Sequence, residues 1–260
     1  MYIKSKNPDF LGIGVAKSGT TRVARLLAGN EDIFIPERKE LHYFDSARFK
    51  NNYFACLKYR SNFPSDKICG EFTPSYIFDY NAPGRIRTTL GKDVKFLLSL
   101  RNPVDRAYSH YCHAINNWGD DRFRKLGYPI EQLSFREAIL SEESRLLSAD
   151  FHPRHLSYFS KGLYSEQIRR YFKFFSRSNF FIYTTEELSD RESEVISSIC
   201  DFLGVKNSSI SHNTNYGRNS QTLGDLSPDD YNWLLEKYMG SIIDLECLLE
   251  RDFSSWKLYK

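Results

Sequence analysis

The stretch Phe10-Leu11-Gly12-Ile13-Gly14-Val15-Ala16-Lys17-Ser18-Gly19-Thr20-Thr21 passes from an apolar run through small and hydroxyl residues into a segment with helical periodicity. Phe10 to Val15 reads as a buried strand, and from Thr20 to Ala28 the residues Val23, Leu26 and Leu27 recur at helical spacing. A glycine with small hydroxyl residues at a strand-to-helix turn lets backbone N–H groups close around phosphate oxygens. The helix N-terminus adds roughly half a positive charge. Lys17, Ser18, Gly19, Thr20, Thr21 and Arg22 are therefore a candidate anion cradle, with Lys17 as its mobile cation.

Working outward, Ile33 to Ile35 is a brief extended piece closed by Pro36, and Lys67 to Glu71 is a second strand ended by Thr73-Pro74-Ser75. Asn81 to Leu90 suits a helix stopped by Gly91, and Val94 to Leu100 is the clearest buried strand. Asn102-Pro103-Val104-Asp105 then opens a helix, with asparagine at the N-cap, proline at the first helical position and an acid in the first turn. On that helix Val104, Tyr108, Tyr111 and Ile115 share a core face, while Arg106, Ser109 and His113 share a face expected to look into a cleft. Helices are further expected near Ser134 to Leu147, over Tyr164 to Phe175, over Glu186 to Leu203 and over Ser227 to Leu249, with a strand at Asn179 to Tyr183. Strands alternating with helices imply an α/β fold: a P-loop-like parallel β-sheet flanked by helices on both faces, in a single domain over residues 1–260. Residues 119–160, polar and basic, read as an insertion on the acceptor side.

Composition narrows the class. With 41% hydrophobic and 27% charged residues among 260, and no low-complexity tract, the chain is an ordinary globular one. A net charge of +3 gives no support to a nucleic-acid or membrane-surface role. No stretch approaches the ~20 apolar residues that span a bilayer, and the N-terminal residues lack a secretory apolar core, so the expectation is a cytoplasmic protein. Cys56, Cys69, Cys112, Cys200 and Cys247 are odd in number, widely spaced and without a Cys-x-x-Cys pair, which suggests reduced thiols and no zinc site.

Two features separate the cradle from that of a nucleoside-triphosphatase. Lys17 precedes Ser-Gly-Thr-Thr, whereas G-x-x-x-x-G-K-[ST] places lysine after the glycine. The strand Val94 to Leu100 is followed by Arg101 where a magnesium-holding aspartate would be expected. A cation there suits a second anion, and no metal is expected.

GVAKSGTT followed by SLRNPVDRAYSHY resembles the paired nucleotide motifs of sulfotransferases that use 3′-phosphoadenosine 5′-phosphosulfate (PAPS) and release adenosine 3′,5′-bisphosphate (PAP). The resemblance implies that the first motif holds the 5′-phosphosulfate, and that Arg101 with Ser109, eight residues apart, holds the 3′-phosphate. It extends through KELHYFD (Lys39 to Asp45), GEFTPSY (Gly70 to Tyr76), GLYSEQIRRYFKFF (Gly162 to Phe175) and LLERDFSSW (Leu248 to Trp256). KELHYFD is similar to a segment of heparan-type carbohydrate sulfotransferases, which implies that Glu40 is the catalytic base. The overall length and C-terminal helix look more like bacterial members. One departure is Phe72, where those carbohydrate enzymes often have lysine, and this argues against a polyanionic sugar acceptor.

Sulfuryl transfer builds negative charge on the leaving bridging oxygen and frees a proton from the acceptor. Lys17 answers the first need and Glu40 the second. His42, on the same side of an extended segment, is an alternative base or a substrate contact. Glu71, at a strand end, is expected to orient Lys17 or the acceptor, or else to sit in a structural ion pair. His113 matches a histidine of amine-directed relatives and is a candidate acceptor contact. Tyr164 lines the nucleotide pocket or packs in the core, and Arg218, in a glycine-containing loop, corresponds to loop cations that reach the 3′-phosphate in relatives. Arg122, Arg124, Lys125 and Arg154 give the insertion a basic cast that suits an anionic acceptor or a solvated face. The expected partner is a hydroxyl, with an amine as a variant, on a carbohydrate or small metabolite. A magnesium-dependent kinase and a silent nucleotide-binding module are the rival readings.

Overall fold

The apolar runs pair as a wholly parallel sheet. The protein is described by a computed structural model that covers residues 6–116, 130–147, 153–206 and 224–260. Among these, β1 (Phe10–Gly14), β2 (Ile33–Phe34), β3 (Ile68–Phe72), β4 (Lys95–Leu100) and β5 (Phe180–Thr184) lie in the order β2-β3-β1-β4-β5. Each neighbouring pair is parallel. The helices are α1 (Thr20–Ala28), α2 (Tyr53–Arg60), α3 (Ala82–Leu90), α4 (Pro103–Asn116), α5 (Phe135–Leu140), α6 (Glu142–Leu146), α7 (Pro153–Leu156), α8 (Tyr164–Phe172), α9 (Thr185–Asp190), α10 (Glu192–Leu203) and α11 (Pro228–Leu249). The chain divides into two compact units, residues 1–101 with 167–214, and residues 102–166 with 215–260.

The first unit holds the sheet. Successive strand residues point to opposite faces. Phe10, Phe72, Leu97 and Tyr183 meet Val23, Ala24 and Leu27 of α1 and Val195, Ile196, Ile199 and Leu203 of α10 in one core. On the other face Phe96 packs edge-on against Tyr171 of α8 and Phe175 just beyond it. The pairing of β1 with β3 places Phe10 beside Gly70 and Gly12 beside Phe72, so each ring lies over a glycine of the neighbouring strand. The two rings then meet edge to face at 6.0 Å. Because β1 is central, its C-terminal loop emerges between the ends of β3 and β4, the place where open parallel sheets bind ligands.

The second unit is helical. Asn102 caps α4 by accepting from Val104 N at 2.9 Å, as its position before Pro103 predicts. Arg106 is wholly buried and donates to Tyr158 O, which corrects its expected place on a cleft face. A guanidinium buried on this helix has no route to water, and a backbone carbonyl accepts a hydrogen bond from it instead. Glu142 fixes the turn after α7 by accepting from the backbone N–H groups of Tyr158, Phe159 and Ser160.

Three expected helices differ in extent. Ser134 to Leu147 is two helices, with Ser141 ending α5 and capping α6. Glu186 to Leu203 is also two, because Arg191 leaves helical conformation (φ −138°, ψ 48°) between α9 and α10. The first of these starts early, at a capping box of Thr184 and Glu187. The helix expected to reach Phe175 ends at Phe172. α2 is an element that hydrophobic periodicity did not announce. Asn52 caps it at 2.9 Å from Ala55 N, but Tyr53, Phe54 and Leu57 are exposed and Tyr59 is its buried residue.

Candidate active site

The cradle forms where β1 turns into α1. Lys17 and Gly19 both take positive φ, 74° and 79°. Glycine adopts this readily and lysine rarely, so Lys17 is held in a costly conformation. Neighbouring strands supply the restraints. Ser99 Oγ donates to Ser18 O at 2.7 Å, and Arg101 donates to Lys17 O at 3.0 Å from the end of β4. The Ser18 hydroxyl is buried and donates to Val15 O at 2.6 Å, so Ser18 faces a ligand through its backbone and not its side chain. Thr20 is buried at the first turn, while Thr21 and Arg22 are exposed, and Arg22 pairs with Glu192. The first-turn amides, with Lys17 beside them, form a donor set suited to phosphate or sulfate oxygens.

On the other side of β1, the loop of residues 39–45 lies against the end of β3, with Phe72 N donating to Lys39 O at 2.9 Å. Glu40 Oε1 accepts from Lys39 Nζ, and its Oε2 lies 3.4 Å from His42 Nε2. The opposite ring nitrogen of His42, Nδ1, faces Asp45 at 3.1 Å. Asp45 is buried and also accepts from Ser75 Oγ. Three side chains thus stand in line, Glu40, His42 and Asp45. Burial alone pushes the Glu40 carboxyl up, but the hydrogen bond from His42 and the charge and hydrogen bond of Lys39 outweigh it, bringing it down to about 2. His42 takes φ 52°. Among the described residues Glu250, which caps α11, is the other non-glycine residue with positive φ.

Glu71 requires correction. Expected to orient Lys17 or the acceptor, or else to sit in a structural ion pair, it is wholly buried and held by four neutral donors. Its Oε1 accepts from Tyr59 at 2.9 Å and Tyr76 at 2.7 Å, and its Oε2 from Thr73 at 2.6 Å and Leu41 N at 3.1 Å. Burial raises its pKa against the pull of those four donors. No face of it is open to an acceptor. Asp45 is the residue that sequence reasoning missed. Its signal was the spacing His42-x-x-Asp45, which in a turn lets the carboxylate return to the imidazole.

In the second unit, Ser109 is half-buried and His113 exposed on α4. Tyr164, at the start of α8, is buried with its ring 6.3 Å from Trp256. Arg218, Arg122, Arg124 and Lys125 lie outside the described residues, as does the side chain of Arg154.

Comparison with known proteins shows what the chain is similar to. A family model described as a sulfotransferase domain matches residues 7–221. The chain is 35% identical over 137 residues to the membrane-associated sulfotransferase kil1 of Dictyostelium discoideum, covering 52% of this chain and 29% of that protein. It is 27% identical over 203 residues to heparan sulfate glucosamine 3-O-sulfotransferase 6 of Homo sapiens, covering 76% of this chain and 53% of that one. It therefore spans less than two thirds of the length of either relative. Among solved structures, a sulfotransferase from Alicyclobacillus acidocaldarius is similar with a TM-score of 0.79 and 29% identity, covering 97% of this chain and all of that one. A mouse sulfotransferase complexed with PAP shares the fold, with a TM-score of 0.56 at 16% identity, covering 95% and 89%.

Proposed function

This chain belongs to the sulfotransferase domain family, and from that premise we propose that it transfers a sulfuryl group from PAPS to a hydroxyl, or an amine, of a carbohydrate or small metabolite. The observation that carries the proposal is the separation of charge across adjacent strand ends. The strained Lys17 and Arg101 stand at the ends of β1 and β4, and the Glu40-His42-Asp45 line stands against the end of β3.

The residues fit the nucleotide. Backbone N–H groups at the start of α1, with Gly19 left-handed and Lys17 beside them, would hold the 5′-phosphosulfate. Arg101 and Ser109 are assigned to the 3′-phosphate, Tyr164 to the nucleotide pocket, and Arg218 to the same phosphate from its loop. When bound, PAPS supplies an activated sulfuryl group on a good leaving phosphate. Lys17 would stabilise the charge that grows on the leaving oxygen. Glu40 would accept the proton of the acceptor hydroxyl. His42, with Nε2 towards Glu40 and Nδ1 towards Asp45, would orient the Glu40 carboxylate and share that proton with it. A carboxylate held near 2 is by itself a weak base, so we assign the proton to the Glu40–His42 pair. His113 is proposed as an acceptor contact.

The similarity to heparan sulfate glucosamine 3-O-sulfotransferase 6 supports a sugar hydroxyl as acceptor. Here Phe72 is buried in the core, so position 72 offers an acceptor no cation, which favours an acceptor of low charge. The test is incubation with PAPS and a panel of sugars, phenols, alcohols and amines, read as gain of a sulfuryl group by mass. Thermal protection by PAP and by ATP with magnesium runs in parallel. Sulfation of a panel member together with protection by PAP is expected. Protection by ATP–magnesium alone would assign a kinase, and PAP protection with no transfer a silent binding module.

A further inference from the structure

Three consecutive amides of the acceptor-side loop converge on one buried carboxylate. Leu41 N–H reaches Glu71 Oε2 directly at 3.1 Å. His42 N–H donates to Thr73 Oγ1 at 3.4 Å, and Thr73 in turn donates to Glu71 Oε2 at 2.6 Å. Tyr43 N–H donates to the Tyr76 hydroxyl at 3.0 Å, and Tyr76 donates to Glu71 Oε1 at 2.7 Å. Each relay runs the same way, amide to hydroxyl to carboxylate, and such aligned chains polarise one another. The second amide belongs to His42, whose φ of 52° an unrestrained histidine seldom keeps. Tyr59, which donates to Glu71 Oε1 at 2.9 Å, also stacks on Tyr43 at 4.4 Å. Glu71, Thr73 and Tyr76 are all fully buried, so water does not replace any link.

We propose that Glu71 is a positioning residue for the reaction assigned above: through Thr73, Tyr76 and its own contact with Leu41 it clamps residues 41–43, and so sets where Glu40 and His42 stand relative to the acceptor. The clamp acts on the acceptor side alone. The cradle is restrained separately, by Ser99 and Arg101. A residue that merely kept the chain folded would, when altered, disturb both sides alike.

Two near-isosteric variants separate these cases. Glu71→Gln keeps the side-chain shape but turns one acceptor oxygen into a donor facing donors. Tyr76→Phe cuts the Tyr43 relay and leaves the Leu41 contact in place. The measurements are amide hydrogen exchange across residues 41–43 and across α1, thermal protection by PAP, and PAP release from PAPS in the presence of the acceptor panel. In Glu71→Gln the exchange of residues 41–43 is expected to rise about tenfold or more with α1 unchanged. Its kcat should fall about tenfold or more, while KM for PAPS stays within about twofold. Tyr76→Phe should release Tyr43 first and lower kcat less. Unchanged exchange at 41–43 in both variants, an unchanged kcat, or a KM for PAPS that rises as much as kcat falls would each overturn the proposal. If Glu71→Gln is not protected by PAP, the same criteria apply to Tyr76→Phe. A wild-type chain that transfers no sulfuryl group removes the functional reading instead, and loop exchange then decides the clamp by itself.

Discussion

Gly12→Ala tests whether the register under the cradle is as tight as it looks. A Cβ at position 12 would lie 2.0, 2.5 and 2.6 Å from Cδ1, Cε1 and Cγ of Phe72. Carbon atoms prefer separations of about 3.5–4.0 Å, so the ring would have to retreat by roughly 1.5 Å. It has nowhere to go: Phe72 is 1% exposed, edge-on to Phe10, and part of the core shared with α1 and α10. Overpacking of this kind costs about 1–3 kcal/mol, from which the relief of removing a strand glycine subtracts about 0.5–1 kcal/mol. The clash is on backbone-anchored ring carbons, which argues for the upper half of the range, or a net loss of about 2 kcal/mol. At roughly 2–4 °C per kcal/mol for a protein of this size, Tm should drop by about 4–8 °C, measured by circular dichroism or calorimetry. Phe72→Leu removes the ring, so the double variant should be more stable than the sum of the single effects by at least about 1 kcal/mol. A Gly12→Ala protein within about 0.5 kcal/mol of the parent, or strictly additive effects, would refute the packing argument.

Four further outcomes are expected. Lys17→Ala should retain PAP binding within about tenfold while losing about a hundredfold or more in turnover, because its cation acts chiefly on charge that develops during transfer; parent-like turnover excludes the assignment. Arg101→Ala should weaken PAP affinity about tenfold or more in calorimetric titration, since it removes both a charged contact and the donor to Lys17 O. Asp45→Asn leaves His42 Nδ1 facing an amide and should lower kcat by about a hundredfold or more with little change in PAP affinity, and an unchanged kcat would detach Asp45 from the proton path. Glu40 is depressed from 4.5 to about 2 in the folded chain, so the stability it adds is present above about pH 4.5 and fades as the pH falls towards 2. The Tm difference between the parent and Glu40→Gln should therefore be constant above about pH 5 and shrink below it, and a difference that grows in acid contradicts the pairing with His42 and Lys39.

The central fold was legible because its signals are local and repeated. The apolar runs of β1 and β4, the asparagine and proline opening α4 and the glycine after α3 each carry their meaning within a few residues. The cradle was legible for the same reason. What escaped depended on contacts between distant residues. α2 buries little but Tyr59, so no periodic stripe marks it, and Arg191 interrupts a pattern that periodicity alone would continue. Glu71 looked like a candidate contact because strand ends often carry function. Its actual surroundings come from Tyr59 before it, from Thr73 and Tyr76 after it and from a backbone amide thirty residues upstream, which no spacing rule connects. Asp45 lay within reach of a local rule, three residues from His42, and was passed over because the turn that brings them together is held by those same distant partners.

The two sides of the sheet end solve opposite electrostatic problems, and their construction reflects this. A transfer that builds negative charge on one oxygen while freeing a proton from another needs a cation and a base close together without mutual neutralisation. Two opposite unit charges 4 Å apart attract by about 4 kcal/mol at an effective dielectric of 20, enough to bind Glu40 to Lys17 and idle both. Here each has contacts of its own. Arg101 restrains Lys17 through the backbone carbonyl, and Glu40 is matched by Lys39 and His42. Both sides also hold a non-glycine residue at positive φ, Lys17 on one and His42 on the other. Strain of that kind persists only where neighbours over-determine the backbone, as Ser99 and Arg101 do for the cradle and Thr73, with Glu71 behind it, does for the loop. Restraint of this kind on both sides of the sheet end suits the positioning and fixed charge that the proposed transfer would need.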